Sequence, residues 1–220
     1  MSRRVTAPAE LLIVRHGHTA ANPGAGPARP TMSGWKDTPL TAEGHRQAAL
    51  LCGRLSPAGP FAAVYSSPLR RALDTARCLA AAADGILRTD PDLREISCGE
   101  VEGWDVEDVR ARFPELWARN AAEDDDDFRW PGGESYRELR ARAVAAADRI
   151  ARAHPGERVV VVTHTGVVTQ LLGVLAGAPP ARWSVHRPGN ASITRVEWAD
   201  GGGRVLRFDA REHLAADPSR

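Results

Sequence analysis

The chain has 220 residues, 43% of them hydrophobic and 26% charged, with a formal net charge of +1 at pH 7. A chain of this length buries roughly 70% of its unfolded surface around one core, so residues 1–220 are read as a single domain. No apolar run approaches the ~18 residues that cross a bilayer, which argues against a membrane protein, and the near-zero net charge argues against a broad nucleic-acid surface.

The N-terminal stretch carries two arginines before Leu11-Leu12-Ile13-Val14, an apolar run too short for a signal peptide and without a small-residue cleavage site. Cys52, Cys78 and Cys98 form no Cys-x-x-Cys pair and no metal spacing, which fits reduced thiols in a cytoplasmic protein. None of them is a candidate nucleophile. The basic side chains are almost all arginine, with Lys36 the one lysine, and arginine matches phosphate oxygens bidentately.

In chain order, Leu11–Val14 reads as a buried strand that ends in Arg15-His16-Gly17. The Gly- and Pro-rich stretch that follows, 23–33, reads as a loop. Thr41 caps a helix running to Leu55, with Ala48, Leu51, Cys52 and Leu55 at helical spacing. Phe61–Tyr65 is a short strand, and Ser66-Ser67-Pro68 opens a helix from Leu69 to about Ala83. Arg70 and Arg71 lie in its first turn, about 100° apart on the helix, so one of the two faces the preceding strand's end.

Between 92 and 132 the pattern weakens into Leu93–Ile96, a glycine turn, a helix near Val106–Phe113 and the run Glu123–Asp127. This segment is read as a small cap over a crevice, and the carboxylate run as a solvated, mobile surface. Pro131–Ser135 introduces a long helix to about His154. A strand over 158–163 then ends in His164, followed by a helix over 166–176 and strands near 192–198 and 204–209. Strands alternating with helices predict a mostly parallel sheet covered on both faces, an α/β/α sandwich.

Two strands thus deliver histidines to one edge of the sheet, where open α/β folds hold their ligands. Single histidines are usually core residues, but two at matched strand ends beside arginines describe an anion pocket. His16 and His18 also suggest a metal pair, yet no supporting carboxylate or thiolate stands nearby and Arg15 would sit beside the ion, so no metal and no other cofactor is expected. Backbone N–H groups at the helix start after His164 add further phosphate contacts.

The chain resembles the histidine phosphatase superfamily, or phosphoglycerate mutase-like family. The resemblance rests on Arg15-His16-Gly17-His18-Thr19-Ala20-Ala21-Asn22, Gly34–Thr41, Ser66–Ala72, Leu93–Ile96, Pro131–Ser135 and Val162-Thr163-His164, in that order. It implies that His16 is a nucleophile forming a phosphohistidine and that Arg15, Arg71 and a protonated His164 surround the transferred group. It further implies that Glu95 protonates the leaving oxygen, with Thr19, Asn22 and Thr165 near the bound phosphate. The register of an arginine directly before alanine selects Arg71 over Arg70.

His18 departs from the usual glutamate, Thr165 from a frequent glycine, and the 23–33 loop is longer than usual. The short segment after Glu95 favours a phosphatase over a mutase, which carries a longer insertion there. A non-catalytic binding protein of the same fold would be marked by loss of His16, Arg71 or His164, and all three are present. The expected substrate is a small phosphomonoester of limited negative charge, with inorganic phosphate as product. Trp104, Phe113, Trp117, Phe128 and Trp130 form the cap core or line its opening, and the late strands offer edges for a homodimer.

Overall fold

The computed structural model describes residues 7–24 and 29–215. Parts of the leader reading (1–6), of the long loop (25–28) and of the C-terminal tail (216–220) lie outside the described residues.

Six strands form one sheet: β1 Ala9–Arg15, β2 Ala63–Ser66, β3 Leu87–Thr89, β4 Arg158–Thr163, β5 Ile193–Ala199 and β6 Gly202–Ala210, in the order β3-β2-β4-β1-β5-β6. The first four run parallel, and β5 and β6 are antiparallel to their neighbours. The helices are α1 Ala42–Leu55, α2 Arg70–Ala76, α3 Val106–Arg112, α4 Pro114–Ala122, α5 Tyr136–Ala153, α6 Thr165–Leu175 and α7 Glu212–Ala215.

Successive strand residues face opposite sides of the sheet, and both sides are apolar here. Leu11 and Ile13 pack with Leu139, Ile150, Val168 and Leu171 of α5 and α6. Leu12 and Val14 pack instead with Leu51, Ala72 and Ala76 of α1 and α2. This is the expected α/β/α sandwich, with a mostly parallel sheet at its centre.

The ends of the elements follow local chemistry. The Thr41 hydroxyl accepts from Gly44 N–H to start α1, and Ser135 and Glu138 form a reciprocal capping box at α5. The helix expected from Leu69 to Ala83 divides: α2 ends at Ala76 and the chain tightens into a 3-10 helix over Arg77–Ala83, closed by Asp84 at φ 49°.

A third cluster of Cys98, Val101, Val109, Phe128, Trp130 and Tyr136 lies outside the sheet, with Phe113, Trp117, Met32 and Trp183 packed against it. Four of the five cap aromatics therefore serve as core, and Trp104, 37% exposed, lies on its flank against Phe113. The long loop joins this cap: Thr31 bridges to Asp105, and Met32 N–H donates to the Trp104 carbonyl at 2.9 Å.

The acidic run is not the free solvated face that its composition suggested. Asp127 forms a two-bond pair with Arg137 of α5, Asp125 pairs with Arg119 at 2.8 Å, and Asp126 accepts from Ala181 N–H at 2.8 Å. The carboxylates staple the cap to the first turn of α5 and to the 180s segment.

Candidate active site

Strand pairing brings the two histidines together. β1 and β4 lie side by side with Arg15 opposite Thr163, and His16 N–H extends the ladder to the Thr163 carbonyl at 2.9 Å. The His16 and His164 rings, 148 residues apart in sequence, end with centroids 5.1 Å apart. Both are buried.

His16 Nδ1 lies 2.7 Å from the Gly17 carbonyl. A carbonyl has no proton to give, so Nδ1 carries the hydrogen and Nε2 keeps its lone pair. Gly17 is itself fixed, since its N–H donates to the Thr75 hydroxyl at 3.0 Å. A side chain at Gly17 would meet the Gly44 carbonyl of α1 at 2.6 Å, so only glycine permits this approach. Burial, then Arg71 and Arg15, push the His16 imidazole well below its ordinary pKa. The ring is neutral, and Nε2 keeps its lone pair.

His164 is held in the opposite tautomer. Arg71 Nε, which always carries hydrogen, donates to His164 Nδ1 at 3.2 Å, so the remaining ring hydrogen sits on Nε2 and donates to Ser67 Oγ at 2.8 Å. Burial and the Arg71 charge hold its pKa well below the usual value. The structure therefore corrects the expectation of a protonated His164: both ring positions are engaged as those of a neutral imidazole.

The positive charge comes from arginine. Arg71 is buried, whereas Arg70 points outward and pairs with Asp74. The Arg71 guanidinium is anchored on the carbonyls of Gly34 and Lys36 at 2.8 and 2.9 Å. Arg15 donates to the Pro188 carbonyl at 2.7 Å, while its Nε is buried without a partner. Burial lowers the Arg15 pKa to about 10, which still leaves it charged at neutral pH. A buried donor without an acceptor is destabilising by about 1–3 kcal/mol, and an oxyanion between these arginines would relieve it.

Glu95 lies where its carboxylate accepts from Ile96 N–H at 2.9 Å and from Gly166 N–H at 3.0 Å. Gly166 belongs to the first turn of α6, where unpaired N–H groups and the helix dipole favour an anion. A Cβ at Gly166 would collide with Glu95 Oε1. The Glu95 charge acts on both Arg15 and Arg71, which places it in the same cluster.

The remaining motif residues shape loops. Thr19 is buried, and its N–H and hydroxyl both donate to Asn22 Oδ1 at 3.0 and 3.2 Å. Asn190 Nδ2 bridges the same Asn22 oxygen and the His16 carbonyl, each at 3.1 Å. Thr165 is the first residue of α6, directly after His164. His18 Nδ1 pairs with the Thr41 hydroxyl at 3.0 Å, so this ring serves the α1 cap. Among the described residues, no three His, Cys, Asp or Glu side chains cluster as metal ligands. The three cysteines are free, and burial pushes the Cys98 and Cys78 thiols up, the latter to about 12.

Sequence reasoning did not single out Ser67, Thr75, Asn190, Trp35 or Arg142. Ser67 and Trp35 carried a signal, through their places in the Ser-Ser-Pro turn and in the Gly34–Thr41 stretch. The others meet the site through contacts at least 47 residues from their partners, which leave no local trace.

With this geometry in hand, residues 11–211 match the histidine phosphatase superfamily, branch 1. The chain belongs to that superfamily. It is 35% identical over 194 residues to phosphoglycerate mutase-like protein 4 of Arabidopsis thaliana, covering 88% of this chain and 81% of that one. It is also 35% identical over 209 residues to the metal-independent phosphoserine phosphatase of Arabidopsis thaliana, covering 94% and 84% of the two chains. Among solved structures, mycobacterial glucosyl-3-phosphoglycerate phosphatase superposes with a TM-score of 0.78 at 29% identity, over 92% of this chain and 99% of that one.

Proposed function

We propose that residues 1–220 form one histidine phosphatase domain, a metal-independent hydrolase that passes the phosphoryl group of a small phosphomonoester to His16 Nε2 and then to water. The observation that carries this reading is the 2.7 Å contact from His16 Nδ1 to the Gly17 carbonyl, which leaves Nε2 as the one free lone pair of a buried neutral ring.

In the forward step the N–P bond forms as the bridging P–O bond breaks. Arg15 and Arg71 oppose the charge on the equatorial oxygens, and a proton from Glu95 neutralises the departing alkoxide. The Gly17 carbonyl stabilises the positive ring that results. In the reverse sense Glu95 takes a proton from water, whose oxygen attacks phosphorus and returns His16 to its neutral state with release of inorganic phosphate. Thr19, Asn22 and Thr165 shape or line the phosphate site.

The relatives support phosphate as the recognised group: the mycobacterial phosphatase has also been solved with inorganic phosphate and with VO3. A mutase reading is supported by the first Arabidopsis relative's name, and it differs in returning the phosphoryl group to an organic acceptor. A small cap of two short helices favours water. The free thiols are compatible with a cytoplasmic enzyme, and a homodimer through the late strands completes the reading.

Acid-labile, base-stable phosphate should appear on protein quenched during turnover and be missing from His16→Ala. Release of free phosphate across a panel of phosphomonoesters should persist in EDTA. Full turnover by His16→Ala would overturn the nucleophile assignment, and recovery of the phosphoryl group only on an organic acceptor would favour the mutase.

A further inference from the structure

We infer that Arg142, locked by Glu134, is a positioning residue that sets the reach of Glu95 toward the leaving oxygen. The inference rests on the proton-donor reading of Glu95 and explains how a side chain on an irregular segment is held in place.

Arg142 lies two turns into α5 and is largely buried, its side chain 14% exposed against 13% for Glu134. Its five N–H donors are all used. Nε and one Nη2 hydrogen grip the two Glu134 oxygens at 2.6 and 2.8 Å. Nη1 reaches the carbonyls of Asp92 and Arg94 at 2.7 and 2.6 Å, and the second Nη2 hydrogen reaches the carbonyl of Glu95 at 2.8 Å. One guanidinium thus fixes three carbonyls of the segment that carries the acid.

Glu134 orients the guanidinium edge-on, and it is tied to the next residues of that segment, since its N–H donates to the Ser97 carbonyl at 3.0 Å. From the other side, Trp35 Nε1 donates to the Glu95 carbonyl at 2.6 Å. The loop bearing Trp35 also supplies the Gly34 and Lys36 carbonyls that hold Arg71. The main chain at Glu95 is therefore clamped between α5 and the Gly34–Lys36 loop that holds Arg71. Its carboxylate is meanwhile docked on the N-terminus of α6.

Lysine cannot replace this device, because it offers three donors from a single point instead of five in a planar fork. A carboxylic acid displaced by ~1 Å transfers its proton poorly, with losses on the order of 100-fold for misplaced groups. The loss must grow with the basicity of the leaving group, since an aryl oxide departs with little protonation and an alkoxide does not.

The test compares Arg142→Lys, Glu95→Gln and the double variant on alkyl phosphates and on p-nitrophenyl phosphate, with thermal unfolding as a check on folding. For Arg142→Lys we expect kcat on alkyl phosphates to fall about 10- to 100-fold and on the aryl ester less than about threefold. The double variant should be no slower on alkyl phosphates than Glu95→Gln alone. Equal losses on both ester classes, or multiplying losses in the double variant, would overturn the positioning role while leaving Glu95 as the donor. If Glu95→Gln itself showed no preference between the esters, the donor reading would fall and this inference with it. Should Arg142→Lys lose its cooperative unfolding transition, Glu134→Gln carries the same comparison at similar side-chain volume.

Discussion

Arg71 Nε and His164 Nδ1, 3.2 Å apart, form a bond that can exist only while His164 is uncharged. The second histidine therefore acts first as an orienting group for Arg71, accepting from it at Nδ1 and handing its single ring N–H hydrogen to Ser67.

Neutral, buried His16 and His164 predict a definite acid dependence. Both are held below the ordinary value of 6.5 in the folded chain, chiefly by burial. As pH falls through about 6.5 the unfolded chain takes up protons that the folded chain refuses, so stability is full above that value and declines below it. The limiting slope is about 1.4 kcal/mol per pH unit for each histidine. Chemical denaturation between pH 8 and pH 5 checks this, and stability rising toward pH 5 would contradict it.

Ser67→Ala removes the acceptor of His164 Nε2–H. With a buried donor left unmatched, we expect destabilisation of about 1–3 kcal/mol and a fall in kcat on the order of tenfold as Arg71 loses its aim. Denaturant midpoints and steady-state rates measure the two effects separately. An unchanged kcat would show that the Ser67 contact does not orient the site.

Gly166→Ala places a methyl group against Glu95 Oε1. The acid must move, so turnover of alkyl phosphates should drop more than that of aryl esters. Binding of inorganic phosphate as a competitive inhibitor should change by less than about threefold, because the arginines are untouched. A uniform loss of phosphate affinity would mean that the α6 N-terminus binds phosphate and not Glu95.

Arg15→Lys keeps a cation but loses the planar fork and the buried Nε. By comparison with removal of single oxyanion donors, kcat/KM should fall roughly 10²- to 10³-fold. A fall below about threefold would show that Arg15 is not a transition-state contact.

The parts of the fold legible in sequence were those written in contiguous residues. Four valines between Arg158 and Thr163 defined β4, Leu11–Val14 defined β1, Thr41 marked α1 through capping chemistry, and Pro131–Ser135 marked the start of α5. β3 was not legible, being three residues long on an edge with two of them exposed. α4, which begins at Pro114, was missed because it has no buried residue to reveal an inner face. Composition alone also misread Glu123–Asp127, since its arginine partners lie outside the run. His16, Arg71, Glu95 and His164 were readable as a set because each closes a recognisable local pattern. Arg142 and Asn190 were not, because the hydrogen bonds that tie them to the site span 47 to 174 residues and depend on the finished topology.

That topology has a consequence for synthesis. Strand β1 leads directly into His16 and is made well before both its sheet neighbours, β4 and β5. Until residues 158–163 have left the ribosome, β1 has neither edge paired, and a nascent chain carrying His16 lacks both His164 and the α6 N-terminus. The pocket around His16 is therefore completed late, and a chain truncated before β4 carries His16 without His164 or the α6 N-terminus beside it.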